Sequence, residues 1–238
     1  MIELLIVIPV RGGSKRLPGK HTRLLAGRNL LQHTQAAIAQ ARIGAPVLLT
    51  TDAVEIGEQG RALGWRVPFL RPTELAGDDV PTVPVLLHAL DWHRKDSGAD
   101  PDSVLLLQTT SPLRGGVSLR AAIELLNEHE EASAVVGVQR LGFGPNRVFL
   151  SGANGYLTPL SPDDIRPPLF VPNGTLYLIR TAALREHGTL FPPATLPLEM
   201  DSVSSIDIDT EADWRLAQAV LANSSQVPLE FNEKGFKE

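Results

Sequence analysis

The sequence predicts a three-layer α/β fold on a mostly parallel sheet, and three observations carry that expectation. Leu4–Val10 is an unbroken aliphatic run closed by a glycine-rich loop, which reads as a strand buried on both faces. Helix-period and strand-period segments then alternate with short connections. The polar stretches that could hold chemistry come directly after strands, where ligands gather in such sheets.

Each element follows from local pattern. Leu30, Leu31, Thr34, Ala37, Ile38 and Ala41 recur at helical spacing over 30–42, and Pro46–Thr51 gives a second aliphatic strand ending at Asp52. A short helix is expected over 54–63 with Gly64 near its cap, then a strand over Arg66–Leu70 and a helix over 82–94. Val104–Leu107 reads as the next buried strand, stopped by the polar turn QTTSPLR, in which Pro112 blocks continuation. A helix at 117–129 and a strand at 134–139 follow. From Leu141 to Pro172 prolines crowd two short extended pieces around Gly152–Gly155, the texture of an inserted hairpin arm with an oligomerisation role. Thr175–Ile179 and Val203–Ile208 read as strands on either side of a proline-rich stretch at 192–197, and a helix at 211–222 closes the domain. The expected organisation is one domain over residues 1–223, with the arm at about 141–172, and a polar tail over 224–238.

A chain of 238 residues, 43% hydrophobic and 21% charged, can bury an ample core. No apolar run is long enough to cross a bilayer, so no membrane partner is expected. The N-terminal run carries Glu3 and leads into arginine and glycine, so it is expected to be a retained strand and not a leader. With no cysteine, disulfides, thiolate metal sites and a cysteine nucleophile are excluded, and a cytoplasmic setting is expected. A net charge of −5 argues against a general nucleic-acid partner.

The charge is strongly segregated. Arg11, Lys15, Arg16, Lys20, Arg23 and Arg28 fall between Pro9 and Arg28 without an acid, whereas Glu199, Asp201, Asp207, Asp209, Glu211 and Asp213 fall between Glu199 and Asp213 without a base. Like charges at that density repel, so an anion is expected in the loop PVRGGSKRLPGK. The loop has neither the spacing of a P-loop nor the glycines of a dinucleotide fingerprint. Gly12, Gly13 and Gly19 nevertheless allow close backbone approach, and Lys15, Arg16 and Lys20 offer donors to several phosphates at once. A merely solvated basic loop is the competing reading.

In SSIDIDTEADW, strand alternation sends Ile206 and Ile208 one way and Asp207 and Asp209 the other. Two adjacent carboxylates suit Mg²⁺ completed by substrate phosphate oxygens and water. Asp209 also suits an acidic helix start, whereas Asp207 has no capping role. A polyphosphate loop with paired carboxylates points to nucleotidyl transfer, in which a nucleophile attacks the α-phosphate of a nucleoside triphosphate and pyrophosphate leaves. The six histidines show no metal spacing.

RGGSKRLPGK with LAGRNLLQHT, LLQTTSPLR, PNGTLYLIRTAAL and SIDIDTEADWRLA, in that order over residues 4–222, resembles the acylneuraminate cytidylyltransferases, which are related to the CMP-Kdo synthetases. The resemblance implies a Rossmann-like nucleotidyltransferase fold, a homodimer whose inserted arm crosses to the partner, and Mg²⁺-dependent transfer of CMP from CTP to the anomeric hydroxyl of an acidic nonulosonic sugar. Carried onto matching positions, it places Arg11, Gly12, Gly13, Ser14, Lys15 and Lys20 at the triphosphate, with Arg71 and Thr82 also at the nucleotide. Lys20, Arg11 and Asp209 would be catalytic, and Asp207 and Asp209 would be metal ligands. Gln108, Thr110, Ser111 and Arg114 would lie in the sugar-side turn, with Arg166, Asn173 and Gly174 on the acceptor.

The chain departs from the family pattern at two places. His21 stands where asparagine is usual, and the arginine-rich stretch before PNG is thinned to IRPPLFVPNG, with Val171 in place of an arginine and Arg166 as the remaining cation. Those cations are expected near the sugar carboxylate. Their loss points away from ordinary N-acetylneuraminate, toward a deoxyamino nonulosonate, a Kdo-like acid or a phosphonate. A sugar phosphate acceptor and a non-catalytic nucleotide-binding relative are the rival readings.

Overall fold

The computed structural model describes residues 3–13, 16–144, 147–151, 156–159 and 168–223. Ser14, Lys15, Arg166 and the 224–238 tail lie outside the described residues, as does part of the 141–172 arm.

Strand β1 (Leu4–Pro9) lies inside a six-stranded sheet, and its alternating side chains seed two separate cores. Leu4, Ile6 and Ile8 face helices α1 (Leu30–Ala41) and α4 (Gly116–Glu128), meeting Leu31, Ala37 and Leu119; Leu5 and Val7 face α3 (Thr82–Ser97) through Leu86 and Leu90. This two-sided burial is the reason the strand is aliphatic at every position. Strands β2 (Val47–Thr50) and β3 (Ser103–Leu106) flank β1 in parallel, with Val7 opposite both Leu48 and Leu106. The loops after all three strands therefore leave the same sheet edge. Helix α1 starts in a capping box: Gln32 N–H donates to the Asn29 side chain at 2.9 Å, and Gln32 Oε1 accepts from Asn29 N–H at 2.8 Å. Helix α2 (Val54–Ala62) packs Ile56 on the α1 side.

Beyond β4 (Ala134–Arg140), β5 (Phe149–Ser151) and β6 (Leu157–Pro159) pair antiparallel as a separate hairpin at the expected arm. Strand β7 (Phe170–Arg180) returns between β3 and β4, antiparallel to both, while β8 (Thr195–Glu199) pairs parallel to β4 at the sheet edge. The sheet order is β2-β1-β3-β7-β4-β8. Short helix α5 (Thr181–His187) follows β7, and α6 (Glu211–Asn223) ends the described chain. No helix among the described residues is long and apolar enough to cross a membrane.

Three expectations are corrected. Arg66–Leu70 is not a strand: Arg66 makes a single bridge to Leu48, and Pro68, lacking an N–H, cannot extend the ladder. The 192–197 stretch does not separate strands but enters β8, where Pro197 is tolerated because an edge strand has one unpaired side. Val203–Ile208 is a turn and an extended segment outside the sheet. Its alternation survives because Ile206 and Ile208 pack into a third cluster with Leu17, Leu25, Leu30 and Trp214, and Ile208 N–H donates to the Thr110 carbonyl at 2.8 Å.

Gly116 sets how closely α4 approaches α1: a Cβ there would lie 2.5 Å from the Ala41 nitrogen and 2.7 Å from the Ala37 oxygen. Backbone atoms cannot yield as a flexible side chain would. Gly116→Ala is expected to lower unfolding free energy by about 1–3 kcal/mol in urea denaturation; an unchanged midpoint would show that the helices do not meet there.

Candidate active site

The site begins with a charge bridge between the two ends of the chain. The Lys20 side chain, 8% exposed, donates to the Ile208 carbonyl at 3.0 Å and to Asp209 Oδ1 at 3.3 Å. Arg16 Nη2 pairs with Asp209 Oδ2 at 2.9 Å. Arg11 pairs with Asp78 on the segment that leads into α3. The basic loop and the acidic segment thus face one polar cleft of about 350 Å³, which Thr82, Gln108, Thr110 and Asp207 also line. Arg11, Arg16, Lys20 and Arg71 oppose Asp78, Asp207 and Asp209 there, so four cations meet three carboxylates.

Arg71 braces this edge from behind. Its Nη2 donates to the Val10 carbonyl at 3.1 Å and to the Thr50 carbonyl, and its Nε donates to Thr50 Oγ1 at 3.1 Å. It lines the cleft, but these donors are committed to the ends of β1 and β2. Burial lowers its pKa from the usual arginine value, with Asp52 opposing the shift.

Arg114 lies deeper, 3% exposed, donating to the Thr175 carbonyl, to Gln108 O at 2.7 Å and to Thr34 Oγ1 at 3.1 Å. Burial lowers its pKa to about 9, so it stays cationic at neutral pH. Arg114 and Ser111 are placed behind the cleft, in its support, and are not among its lining. The turn they stabilise presents Gln108, Thr109 and Thr110 to the cleft.

The PNG turn interrupts β7. Val136 pairs with Tyr177 and Val138 with Pro172, so residues 173–176 bulge toward the site. Gly174 has φ +73°, a conformation that favours glycine, and it lies against the Gln108 side chain, whose Oε1 would be 2.9 Å from a Cβ placed there. Asn173 donates to Ser205 Oγ at 3.0 Å and accepts from Thr175 N–H at 3.1 Å, tying the bulge to the segment before Asp207. A second lobe of about 400 Å³ opens there, lined by Gln139, Val171, Asn173, Gly174 and Tyr177, and it shares Gln108 and Asp207 with the first.

Burial raises the Asp207 pKa, and the Asp209 charge adds to the rise, while the Thr110 hydroxyl and Lys20 oppose it. Asp207 Oδ1 is buried with no hydrogen-bond partner among the described residues. An orphaned carboxylate oxygen beside a second carboxylate fits a hard divalent cation that takes its remaining ligands from substrate and water. No cluster of three or more ligating side chains occurs among the described residues, so the protein offers a carboxylate pair and not a closed cage.

Arg11, Lys20, Arg71, Thr82, Gln108, Thr110, Asp207 and Asp209 converge as expected from sequence, as do Asn173 and Gly174 in the second lobe. Gly13 lines an adjoining recess of about 310 Å³, whereas Gly12 turns away and donates its N–H to Asp52 Oδ1 at 2.9 Å. Sequence reasoning missed Asp78, whose signal was the acidic GDD opposite a basic loop, and Gln139, Tyr177 and Ser205, which only the bulge brings in.

The fold and the charged strand-end cleft define a nucleotidyltransferase. The cytidylyltransferase family model matches residues 5–148, and the chain belongs to that family. It is 35% identical over 229 residues to the CMP-N,N'-diacetyllegionaminic acid synthase of Legionella pneumophila, covering 92% of this chain and 97% of that one. It is 30% identical over 223 residues to the N-acylneuraminate cytidylyltransferase of Escherichia coli, covering 90% of this chain and 51% of that protein, so it spans about half the length of that relative. Among solved structures, CMP:2-keto-3-deoxy-manno-octonic acid synthetase complexed with CTP shares the fold at TM-score 0.68 and 17% identity, covering 93% of this chain and 99% of that one.

His21, the departure from the family pattern, is buried in the cleft wall with Nδ1 3.4 Å from Thr109 Oγ1. Burial, then the Lys20 and Arg11 charges, lower its pKa from 6.5 to about 4. Between those values the unfolded chain binds a proton that the folded chain refuses. This contribution to stability is complete above pH 6.5 and is lost as pH falls toward about 4. An NMR titration should place the His21 midpoint near 4, and His21→Asn should remove this part of the acid sensitivity in denaturation curves.

Proposed function

We propose that the chain transfers CMP from CTP to the anomeric hydroxyl of a nonulosonic acid. The observation that carries the reading is the convergence of Lys20, Asp209 and Asp207 on one cleft that adjoins a second lobe with which it shares Gln108 and Asp207. The acceptor oxygen attacks the α-phosphorus and loses its proton, the bond to the β-phosphate oxygen breaks, and pyrophosphate leaves with that electron pair. Arg11 and Lys20 bind and orient the triphosphate, with Ser14 and Lys15 assigned there by sequence position alone. Lys20, already desolvated, is placed to offset charge as it develops, because a buried cation acts more strongly than one in water. Asp207 and Asp209 would hold Mg²⁺, which when bound supplies Lewis-acid neutralisation of the phosphate oxygens.

Gln108, Asn173 and Gly174 form the acceptor side, with Arg166 assigned to it by sequence position alone. Apart from Asp207, the described lining of the second lobe is uncharged: Gln139, Ser205 and Asn173 offer amide and hydroxyl partners, and Val171, Pro172 and Tyr177 offer apolar wall. Neutral donors and acceptors beside apolar surface suit acylamido groups better than an extra charge. With the full-length similarity to the Legionella protein, this favours a diacetamido nonulosonic acid over N-acetylneuraminate. The reading includes a cytoplasmic homodimer joined through the 141–172 arm, which sedimentation and cell fractionation test.

Pyrophosphate release with CTP, Mg²⁺ and a panel of acid sugars tests the activity. Diacetyllegionaminate is expected to give the highest turnover. A higher rate with N-acetylneuraminate overturns the acceptor assignment, and no release with any acceptor overturns the reaction.

Asp209→Asn removes a ligand carboxylate but also frees Arg16 and Lys20 from their shared partner. Turnover is therefore expected to fall about 100-fold or more while the CTP dissociation constant changes by less than about threefold. Equal losses in binding and turnover would make Asp209 a binding residue instead.

A further inference from the structure

Asp52 is unassigned by the reading above, and it holds the phosphate loop at its tightest point. It follows β2 and precedes α2, yet it does not cap that helix: the N-cap is Ala53, which has no side-chain cap bond, and Ala53 N–H donates to Thr51 Oγ1 at 3.2 Å. The Asp52 carboxylate instead reaches across to the loop after β1 and accepts the Gly12 N–H at 2.9 Å. The contact is built for glycine, since a Cβ at Gly12 would lie 2.8 Å from Ala53 Cβ.

The loop is thus pinned at two successive points. Val10 is held through its carbonyl by Arg71, and Gly12 is held through its amide by Asp52. The two clamping side chains carry opposite charge and act on one another electrostatically. The carboxylate can sit beside a loop that receives polyphosphate because it is engaged by the Gly12 amide and does not line the cleft. The residues immediately downstream, Gly13, Arg16 and Lys20, do line it. The conformation fixed at Gly12 sets the direction in which Gly13 leaves.

We propose that Asp52 is a positioning residue for triphosphate binding, acting through its hydrogen bond to the Gly12 amide. The kinetic part rests on the CTP reading above; the loop part does not. Asp52 is exposed, so replacing it leaves no buried cavity.

Two variants separate the hydrogen bond from the charge. Asp52→Ala loses both, whereas Asp52→Asn keeps a side-chain oxygen that can accept from Gly12. Titration calorimetry with CTP in the absence of acceptor should show Asp52→Ala weakened about fivefold and Asp52→Asn within about twofold of the parent, since an ordinary hydrogen bond is worth about a factor of five in net terms and the amide oxygen of Asn can still accept it. The KM for CTP should follow the same order with kcat nearly unchanged, and melting temperatures should agree among the three proteins. Amide hydrogen exchange at Gly12 should accelerate in Asp52→Ala and stay slow in Asp52→Asn. Unchanged CTP affinity and Gly12 exchange in Asp52→Ala overturn the proposal, and so does equal weakening in both variants, which would make the charge the active feature. If the parent protein binds no CTP, the proposed function fails, and the exchange comparison still decides whether Asp52 fixes the loop.

Discussion

The burial of Lys20 is the constraint on which the site depends. An ammonium taken out of water must recover its lost hydration from fixed partners. It finds them in the Ile208 carbonyl and the Asp209 carboxylate, the latter 189 residues later in the chain. That demand joins a loop after the first strand to a segment that lies beyond the last strand, and it requires the whole sheet between them. It also leaves exposed Arg16 and half-buried Arg11 held by Asp209 and Asp78, so that on the proposed reading the triphosphate meets cations already gathered and partly neutralised. Exchanging those surface carboxylates for phosphate costs little, because exposed ion pairs are weak. The buried pair stays.

Behind this front, two buried guanidiniums do architectural service. Strand ends leave carbonyls beyond the last rung of the ladder, and unpaired carbonyls in the interior are costly. Arg71 takes that of Val10 and adds a second donor to the Thr50 carbonyl, which already accepts the Val10 N–H, and Arg114 donates to those of Gln108 and Thr175. Arginine suits both places because its planar fork presents several donors and keeps its proton when buried. A motif arginine can therefore be indispensable to a site without touching what binds there, and the letters QTTSPLR do not distinguish the two roles.

This ambiguity shows what the sequence can and cannot reveal. Strands β1, β2 and β3 were legible because burial on both faces demands continuous aliphatic residues, and the cleft was legible because charge of each sign was concentrated in one stretch. Strand β8 was not, since Pro197 argues against a central strand and nothing local marks an edge. The antiparallel course of β7 was hidden for a related reason: its buried residues read alike in either direction, and its partners are distant in sequence. Asp207 and Asp209 do line one cleft together, although the strand expected to hold them does not exist. The alternation was real, but a hydrophobic cluster under Ile206 and Ile208 enforces it, not a ladder. Pairings such as Arg11 with Asp78 depend on how a loop folds over a strand end, which periodicity does not encode.

The two lobes differ in kind, and that difference orders the chemistry. One is lined by four cations and three carboxylates, while the other is neutral apart from Asp207. On the proposed reading a polyanion suits the first, and an acceptor with hydrogen-bonding substituents suits the second. Among the described residues the lobes share Gln108 and Asp207 in their linings, so on the proposed reading the new bond forms beside those two side chains. Gly174 borders that junction beside Gln108 in a left-handed conformation, φ +73°, that an L side chain rarely adopts. The bulge that interrupts β7 is therefore the feature that adds a second lobe to the charged cleft, the one the proposed function gives to the acceptor.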